Sequence, residues 1–334
     1  MHNELYFKPL IKNGTIQTIL GGGIGKAKIP NYTRESIELD NGDRLLIDIS
    51  QSNNWCSDDY TVVMIHGLCG CSESEYLLRL TSLLLGINLK VVRVSLHGQG
   101  DRNKMHSKSI YHGSSFEDLK KVFEYLTYRN PNSPMIGIGF SLSGGIILKM
   151  LSQIQVRDKL LLDYVISICP VTDFKESSKQ IHQGINKIFE RYFINLCIKM
   201  ARRRFVEYND LEPLPKFRKN MSLYEFDDIY TSKEAGYNNA DEYYKASSSI
   251  DSIHQIRIKT DILVALDDPI IDNEKLLKLD LNKNIRINYT KYGGHMGYLQ
   301  WPLGKRWLDT QILSWVKSHI IGSKLQNINK FKKI

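Results

Sequence analysis

Short apolar runs typical of buried strands alternate along this chain with stretches of helical periodicity. The strand-like runs occupy residues 62–65, 91–94, 135–140, 164–168, 262–265 and 285–289. Helical stretches lie between most of them, at residues 76–85, 116–128 and 146–154. Runs that are apolar at most successive positions are typical of strands buried on both faces, and strands that alternate with helices form parallel sheets covered by those helices. We therefore predict an α/β fold with a mostly parallel central sheet and helices on both faces.

Two segments depart from this alternation. Residues 36–39 and 45–49 flank the turn sequence at 40–43, which predicts an antiparallel hairpin. Residues 172–249 contain a helical stretch from Ile181 to about Phe205 and many aromatic side chains. We expect a single domain, residues 1–334, with a core of 1–171 and 250–334 and a mainly helical, cap-like insertion of 172–249. Aromatic residues of this insertion, such as Phe189 and Tyr192, are expected to cover an apolar site.

The segment Gly139-Phe140-Ser141-Leu142-Ser143 lies where a strand-like run turns directly into a helical stretch. It nearly matches G-x-S-x-G, the motif that holds a nucleophilic serine in a strained, exposed turn between strand and helix. Ser143 takes the place of the last glycine. If Ser143 were the nucleophile, Ser141 would occupy the position of the first glycine and the turn would slide along the chain. We therefore predict that Ser141 is the nucleophile.

Two later strand-like runs are followed by residues that can activate this serine. Asp267 and Asp268 come after the run that ends at Ala265, and His295 follows the run that ends at Tyr289. In open α/β sheets, ligands bind at the carboxyl ends of the strands, and the chain order serine, acid, histidine is that of an α/β-hydrolase. The imidazole removes the serine proton, and the carboxylate fixes the imidazole tautomer. The pattern predicts a triad of Ser141, Asp268 and His295, with Asp267 as the alternative acid.

A serine nucleophile also needs N–H donors for the negative oxygen of the tetrahedral intermediate. The α/β-hydrolase template takes them from the residue after the nucleophile and from the loop after an earlier strand. Here these donors are the backbone N–H groups of Leu142 and Leu68. We interpret His66 as a residue that orders this loop, and His97 as a loop histidine with satisfied hydrogen bonds.

The sequence argues against several other kinds of site. Neither H-E-x-x-H nor G-x-x-x-x-G-K-[ST] occurs, and Cys69 and Cys71 have no second pair at zinc-ligand spacing, so the sequence supports neither P-loop chemistry nor a zinc site, and we predict no metal. The five cysteines are interpreted as reduced structural thiols. No stretch approaches eighteen apolar residues and the amino terminus lacks the pattern of a signal peptide, so we expect a soluble cytoplasmic protein.

The net charge of +9 is spread along the chain. No interleaved aromatic platform of the kind found in single-stranded nucleic-acid binders accompanies the basic clusters, so we expect no nucleic-acid partner. We interpret the clusters as solvated surface, and weak peripheral contact with an anionic membrane as the remaining possibility. The densest clusters are Arg202, Arg203 and Arg204, and a tail with Lys324, Lys330, Lys332 and Lys333.

Eight segments in order resemble those of a known family: "FKPLIKNGTIQTIL", "HGLCG", "IYHGSSFEDL", "GFSLSGG", "LYEFDD", "ADEYYKASS", "LDDPIID" and "GGHMG". They are similar to the bacterial YheT-like hydrolases and their eukaryotic relatives, the ABHD1/ABHD3-type and EMB8-type esterases. The match runs from about Phe7 to about Trp315. The resemblance implies an α/β-hydrolase fold, carboxylesterase or lipase activity on short to medium acyl chains, and no cofactor.

The same resemblance places the nucleophile at Ser141, the acid within "LDDP" and the base at His295. It favours Asp268 over Asp267, because in related hydrolases the acid lies three residues beyond the last small strand residue, here Ala265. The chain departs from the family at Ser143, where glycine is usual, and at His97, where arginine is usual.

We therefore predict a serine hydrolase that cleaves carboxylic esters of short- to medium-chain acyl or lipid substrates through an acyl-enzyme intermediate. The same triad would serve an acyltransferase or a thioesterase, which is the alternative reading. A catalytically silent relative that binds lipid is an alternative of another class, and the intact Ser141, Asp268 and His295 argue against it. The expected partner is a small-molecule ester or lipid.

Overall fold

The computed structural model describes residues 2–23, 27–101, 103–154, 160–302 and 306–331. The charged groups of Lys330, Lys332 and Lys333 in the basic tail fall outside this description. The strands of the described residues are β1 His2–Glu4, β2 Thr33–Glu38, β3 Arg44–Gln51, β4 Thr61–Ile65, β5 Lys90–Ser95, β6 Met135–Phe140, β7 Leu162–Ile168, β8 Lys259–Ala265 and β9 Ile285–Thr290.

These strands form one sheet in the order β1-β9-β8-β7-β6-β4-β5-β3-β2. The pairs β2·β3 and β3·β5 are antiparallel, and every other neighbouring pair is parallel. The mostly parallel sheet and the hairpin are thus confirmed. The hairpin turn closes through the N–H of Leu39, which donates to the carbonyl of Asp43 at 2.8 Å.

Helices cover both faces of the sheet. The described helices are α1 Gly14–Gly23, α2 Glu75–Leu85, α3 Phe116–Arg129, α4 Leu142–Gln153, α5 Phe174–Ile181, α6 Lys187–Glu207, α7 Leu223–Phe226, α8 Ser232–Glu234, α9 Ala240–Ser247, α10 Glu274–Leu277 and α11 Trp307–Phe331. Apolar side chains of α3 and α4 pack on one face, and those of α2 and α11 pack on the other. Five of these helices, α5 to α9, lie between β7 and β8.

The strand β4 shows why its sequence is apolar at every position from Val62 to Ile65. Val63 and Ile65 belong to the cluster that includes α3 and α4, whereas Val62 and Met64 belong to the cluster that includes α2 and α11. All four side chains are completely buried. Burial of one such side chain stabilises the fold by about 1.5–3 kcal/mol, so both faces of the strand contribute to the core.

One predicted helix is wrong in its extent. Ile181 ends α5, and α6 does not begin until Lys187. Between them Gly184 has φ of +47°, in the left-handed region that glycine adopts at little cost and that a continuous helix excludes. The predicted helix at 146–154 begins earlier in the structure, at Leu142, directly after Ser141.

Candidate active site

Ser141 occupies the turn between β6 and α4. Its φ of 53° and ψ of −117° are rare for a residue with a side chain, and such a conformation costs about 1–3 kcal/mol. The turn requires very small neighbours: an ideal Cβ on Gly139 would lie 2.6 Å from the carbonyl oxygen of Ser143, and one on Gly145 would lie 2.1 Å from that of Val171. Gly139 and Gly145 therefore allow strand and helix to pack closely around the serine.

The structure brings together Ser141, Asp268 and His295. His295 Nε2 lies 2.8 Å from Ser141 Oγ, and His295 Nδ1 lies 2.8 Å from Asp268 Oδ2. Ser141 and His295 are each 9% exposed and Asp268 is 4% exposed. The three residues follow β6, β8 and β9 at the same edge of the sheet. In this spatial arrangement the serine hydroxyl can transfer its proton to the imidazole, and the carboxylate can stabilise the resulting cation.

Asp268, and not Asp267, contacts the imidazole. Asp268 Oδ1 accepts hydrogen bonds from the backbone N–H groups of Ile270 at 2.8 Å and Ile271 at 3.0 Å, which leaves Oδ2 for His295. Asp267 Oδ1 instead accepts the N–H of Gly294 at 2.9 Å. Burial raises the pKa of the Asp267 carboxyl. Asp267 therefore stabilises the turn before His295, while Asp268 orients the ring.

The helix α1 supports the loop after β9 that carries His295. No sequence pattern predicted this role for α1. The backbone N–H of His295 donates to Thr18 Oγ1 at 2.8 Å. The two segments also approach closely, since an ideal Cβ on Gly294 would lie 2.2 Å from the carbonyl oxygen of Gly14. The side chain of Gln17 accepts the N–H of Leu299 at 2.7 Å. The one available signal was that "FKPLIKNGTIQTIL" belongs to the segments with family resemblance.

The loop after β4, which carries Leu68, is fixed by a buried histidine. His66 Nε2 accepts the backbone N–H of Leu96 at 3.2 Å, so its Nδ1–H donates to the carbonyl of Gly67 at 2.7 Å. Burial lowers the pKa of His66 to about 4, which keeps the ring neutral. An ideal Cβ on Gly67 would lie 3.1 Å from Ser141 Cβ, so this loop passes directly beside the serine. The geometry agrees with the interpretation of His66 as a loop-ordering residue.

His97 is likewise satisfied within the protein. Its Nδ1 lies 2.5 Å from Ser107 Oγ and its Nε2 lies 2.9 Å from Asp118 Oδ2. With both ring nitrogens engaged and the side chain 3% exposed, His97 has no nitrogen available to act as a second base.

Ser143 has a partner that explains its hydroxyl. The hydroxyl of Tyr111 donates to the carbonyl of His66 at 3.2 Å and accepts the hydroxyl of Ser143, whose Oγ lies 2.7 Å away. Ser143 is fully buried, so an unpaired hydroxyl there would be costly. The residue that replaces the motif glycine thus links α4 to the loop after β4 through Tyr111.

A largely apolar cleft extends from Ser141 toward the helices between β7 and β8. It contains about 1120 Å³ of empty space, including its open mouth, and Leu68 and Leu142 line it beside the serine. Lining side chains from α5 and α6 include Phe174, Phe193 and Met200.

Two aromatic residues expected to cover the site do not line this cleft. Phe189 is buried with Ile181, Ile270 and Ile271, and Tyr192 is 60% exposed. The helix α6 presents Phe193 to the cleft instead.

One member of the arginine cluster is not on solvated surface. Arg204 is 6% exposed and lines the cleft. Its guanidinium donates to the hydroxyl of Tyr230 at 3.1 Å, forms an ion pair with Glu234 at 2.7 Å and donates to the carbonyl of Lys108. The interpretation of all three arginines as a solvated face is therefore wrong for Arg204.

Comparison with known proteins decides the family. The family model described as "Serine aminopeptidase, S33" (Hydrolase_4) matches residues 57–288, more than half of the chain. The chain belongs to this hydrolase family. It is 26% identical to YheT of Escherichia coli over 86% of this chain and 85% of the relative, and 24% identical to phospholipase ABHD3 of Homo sapiens over 92% and 77%. The resemblance to YheT-like and ABHD-type hydrolases is thus confirmed.

A solved structure supports the fold of this α/β-hydrolase. An esterase of Pyrococcus furiosus superposes with a TM-score of 0.55 at 14% identity, over 94% of this chain and 97% of the esterase. The α/β-hydrolase fold is confirmed. As for membrane association, none of the helices among the described residues is both long enough and apolar enough to cross a bilayer.

Among the described residues of this hydrolase, one group of potential metal ligands overlaps the predicted triad. One ligand atom each of Cys169, Asp268 and His295 lies within 4.8 Å of the others. Burial raises the pKa of the Cys169 thiol, whereas a metal ligand must be a thiolate. His295 and Asp268 also hydrogen-bond each other, so this set of side chains fits the predicted triad better than a metal site.

Proposed function

We propose that this hydrolase cleaves carboxylic esters of short- to medium-chain acyl or lipid substrates through an acyl-enzyme intermediate on Ser141. The observation that carries the proposal is the pair of 2.8 Å contacts that joins Asp268, His295 and Ser141 beside an apolar cleft. This chemistry requires no cofactor, because the nucleophile, the base and the acid all come from the chain.

In acylation, His295 Nε2 takes the proton of Ser141 as Oγ attacks the carbonyl carbon of the ester. Asp268 accepts the Nδ1–H, so the free Nε2 lone pair faces the serine and the imidazolium that forms is stabilised. Collapse of the tetrahedral intermediate breaks the bond to the alcohol oxygen, which takes the proton from His295. In deacylation, His295 removes a proton from water, and water attacks the acyl-serine by the same route.

We assign the stabilisation of the tetrahedral oxygen to the backbone N–H groups of Leu68 and Leu142. Both residues line the cleft with Ser141. Within the described residues, neither N–H has a hydrogen-bond acceptor, which leaves both free for substrate. Loss of one such donor typically costs on the order of a hundredfold to a thousandfold in kcat.

The lining of the cleft supports an apolar acyl group as the part of the substrate that binds there. Phe174, Phe193 and Met200 can bury an alkyl chain, and each buried methylene contributes about 0.8 kcal/mol. We therefore treat residues 172–249 as a cap that holds the acyl chain over the core. The phospholipase name of one relative is consistent with a lipid substrate. The net charge of +9 would favour weak contact of a cytoplasmic enzyme with anionic membranes.

A panel of substrates tests this proposal. Purified protein should hydrolyse p-nitrophenyl esters, with kcat/KM rising from acetate toward octanoate, and His295→Ala should lose on the order of a thousandfold or more in kcat while remaining folded. Aminoacyl p-nitroanilides and acyl thioesters serve as competing substrate classes. Preference for either class, or full ester hydrolysis by His295→Ala, would contradict the proposal.

A further inference from the structure

Two cysteines from distant parts of the chain meet beside the candidate active site. Cys69 follows Leu68 in the loop after β4, and Cys197 lies on α6. Their Sγ atoms are 3.7 Å apart, and both side chains line the cleft that leads to Ser141. The contact therefore joins the loop of the proposed oxyanion donor to the proposed cap.

The backbone at Cys69 does not explain why a cysteine stands there. Its φ of +58° lies in the left-handed region, where glycine is favoured and a residue with a Cβ is strained. The side chain is partly buried, and the sulfur of Cys197 is its hydrogen-bonding partner. A position that favours glycine by its backbone but carries a thiol indicates that the thiol itself has a role.

We propose that Cys69 and Cys197 form a redox-sensitive pair that closes to a disulfide, links the loop after β4 to α6, and thereby inhibits the enzyme. The inhibition rests on the proposed function. The disulfide rests only on the contact between the two sulfurs.

The oxidant is hydrogen peroxide or another hydroperoxide. The sulfur of Cys69 attacks one peroxide oxygen, the O–O bond breaks, and the departing hydroxide takes the thiol proton and leaves as water, so Cys69 becomes a sulfenic acid. The sulfur of Cys197 then attacks the Cys69 sulfur, the S–O bond breaks, and a second water leaves with the Cys197 proton. The two thiols together lose two electrons, and the peroxide gains them.

Both thiols are partly buried and both line the cleft, so peroxide can reach either sulfur. Oxidation of Cys197 first, followed by attack of the Cys69 sulfur, gives the same disulfide and the same two waters.

Closure of the bond must deform the site. A disulfide has an S–S distance of about 2.05 Å, so the sulfurs must approach by about 1.7 Å from their separation of 3.7 Å. Both cysteines line the cleft, so movement of their sulfurs reshapes its wall, and any shift of the Cys69 backbone passes to the adjacent Leu68. A misplacement of about 1 Å near reacting groups can cost on the order of a hundredfold in rate.

The bond is tested without reference to activity. In a Cys56→Ser, Cys71→Ser chain, trypsin places Cys69 in the peptide of residues 45–79 and Cys197 in that of residues 192–199, with no other cysteine in either. After peroxide treatment, non-reducing mass spectrometry should find these two peptides joined, with a loss of two hydrogen atoms that dithiothreitol reverses. Sulfinic acid at Cys69 without the cross-link, or two thiols that stay free, would overturn the proposal.

Inhibition is tested on the same chain. Oxidation should lower p-nitrophenyl ester turnover on the order of tenfold or more, dithiothreitol should restore it, and Cys197→Ser in the same background should prevent the reversible loss. The Cys56→Ser single variant is the matched control and should respond to peroxide as wild type does. A quantitative cross-link with unchanged turnover would overturn the inhibition. A chain without ester turnover would contradict the proposed function, while the peptide map would still decide on the disulfide.

Discussion

Replacing Asp268 by asparagine should reverse the hydrogen-bond polarity of His295 without moving the ring. Oδ1 of Asp268 accepts two backbone N–H groups, from Ile270 and Ile271, and an asparagine must keep an oxygen at that position to satisfy them. Its NH2 group then faces His295 Nδ1, which must become an acceptor. The ring proton moves to Nε2 and points at Ser141 Oγ, so the base can no longer take the serine proton.

The expected loss in kcat is roughly ten-thousandfold, as for the equivalent change in another serine hydrolase, which corresponds to about 5.5 kcal/mol of transition-state stabilisation. Steady-state hydrolysis of a p-nitrophenyl ester measures it, with thermal unfolding as the check on folding. Asp267→Asn is the matched control: its oxygen can still accept the N–H of Gly294, and Oδ2 has no partner among the described residues, so the loss should stay below about tenfold. Equal losses in the two variants, or a loss at Asp268 below about tenfold, would refute the reasoning.

Three further predictions follow from other parts of the site. Phe193→Ala should lower kcat/KM for octanoyl more than for acetyl esters, whereas Tyr192→Ala, at an exposed position, should change neither; a uniform loss would place Phe193 in the core instead. Ser143→Gly removes the partner of Tyr111 and should lower the free energy of unfolding by about 1–2 kcal/mol in urea titration, with ester hydrolysis retained; unchanged stability would contradict a role for this bond. Burial lowers the pKa of His66 from 6.5 to about 4, so the unfolded chain binds the proton first as the pH falls. The free energy of unfolding should therefore be lower by about 2 kcal/mol near pH 5 than at pH 7. Urea titration should find a smaller difference between the two pH values in His66→Asn.

The sheet was predictable from the sequence because its strands are buried on both faces. From Val62 to Ile65 in β4, alternate side chains enter different apolar clusters, so successive positions must be apolar, and that pattern is local. The chain order of Ser141, Asp268 and His295 was predictable for a related reason, since parallel strands bring their carboxyl ends to one edge.

The contacts that support the triad were not predictable from local pattern. Thr18 and His295 are 277 residues apart in sequence, and a single threonine in a helix carries no signal of its partner. The strand β1 has only three residues, all exposed, and it forms by pairing with β9, which no period in its own sequence reveals.

The helix α6 shows a different limit. Phe189, Ile194, Ala201 and Arg204 are all buried, and at 3.6 residues per turn they fall within one arc of about 140°. This buried face also contains the charged Glu190, so it is not marked by an unbroken apolar stripe. Sequence could not decide that Phe193 rather than Phe189 or Tyr192 faces the cleft. The charge of Arg204 suggested solvent, but Tyr230 and Glu234 compensate it inside the protein.

The most direct test of the central claim is the site of covalent labelling by a fluorophosphonate. The account predicts one adduct, mapped by peptide sequencing to Ser141, that is absent in Ser141→Ala and retained in Ser143→Ala, the matched change at the neighbouring buried serine. His295→Ala should slow the labelling strongly, because the imidazole of His295 activates the hydroxyl that reacts with the fluorophosphonate. An adduct on Ser143, or one that persists in Ser141→Ala, would contradict the assignment of Ser141 as the nucleophile.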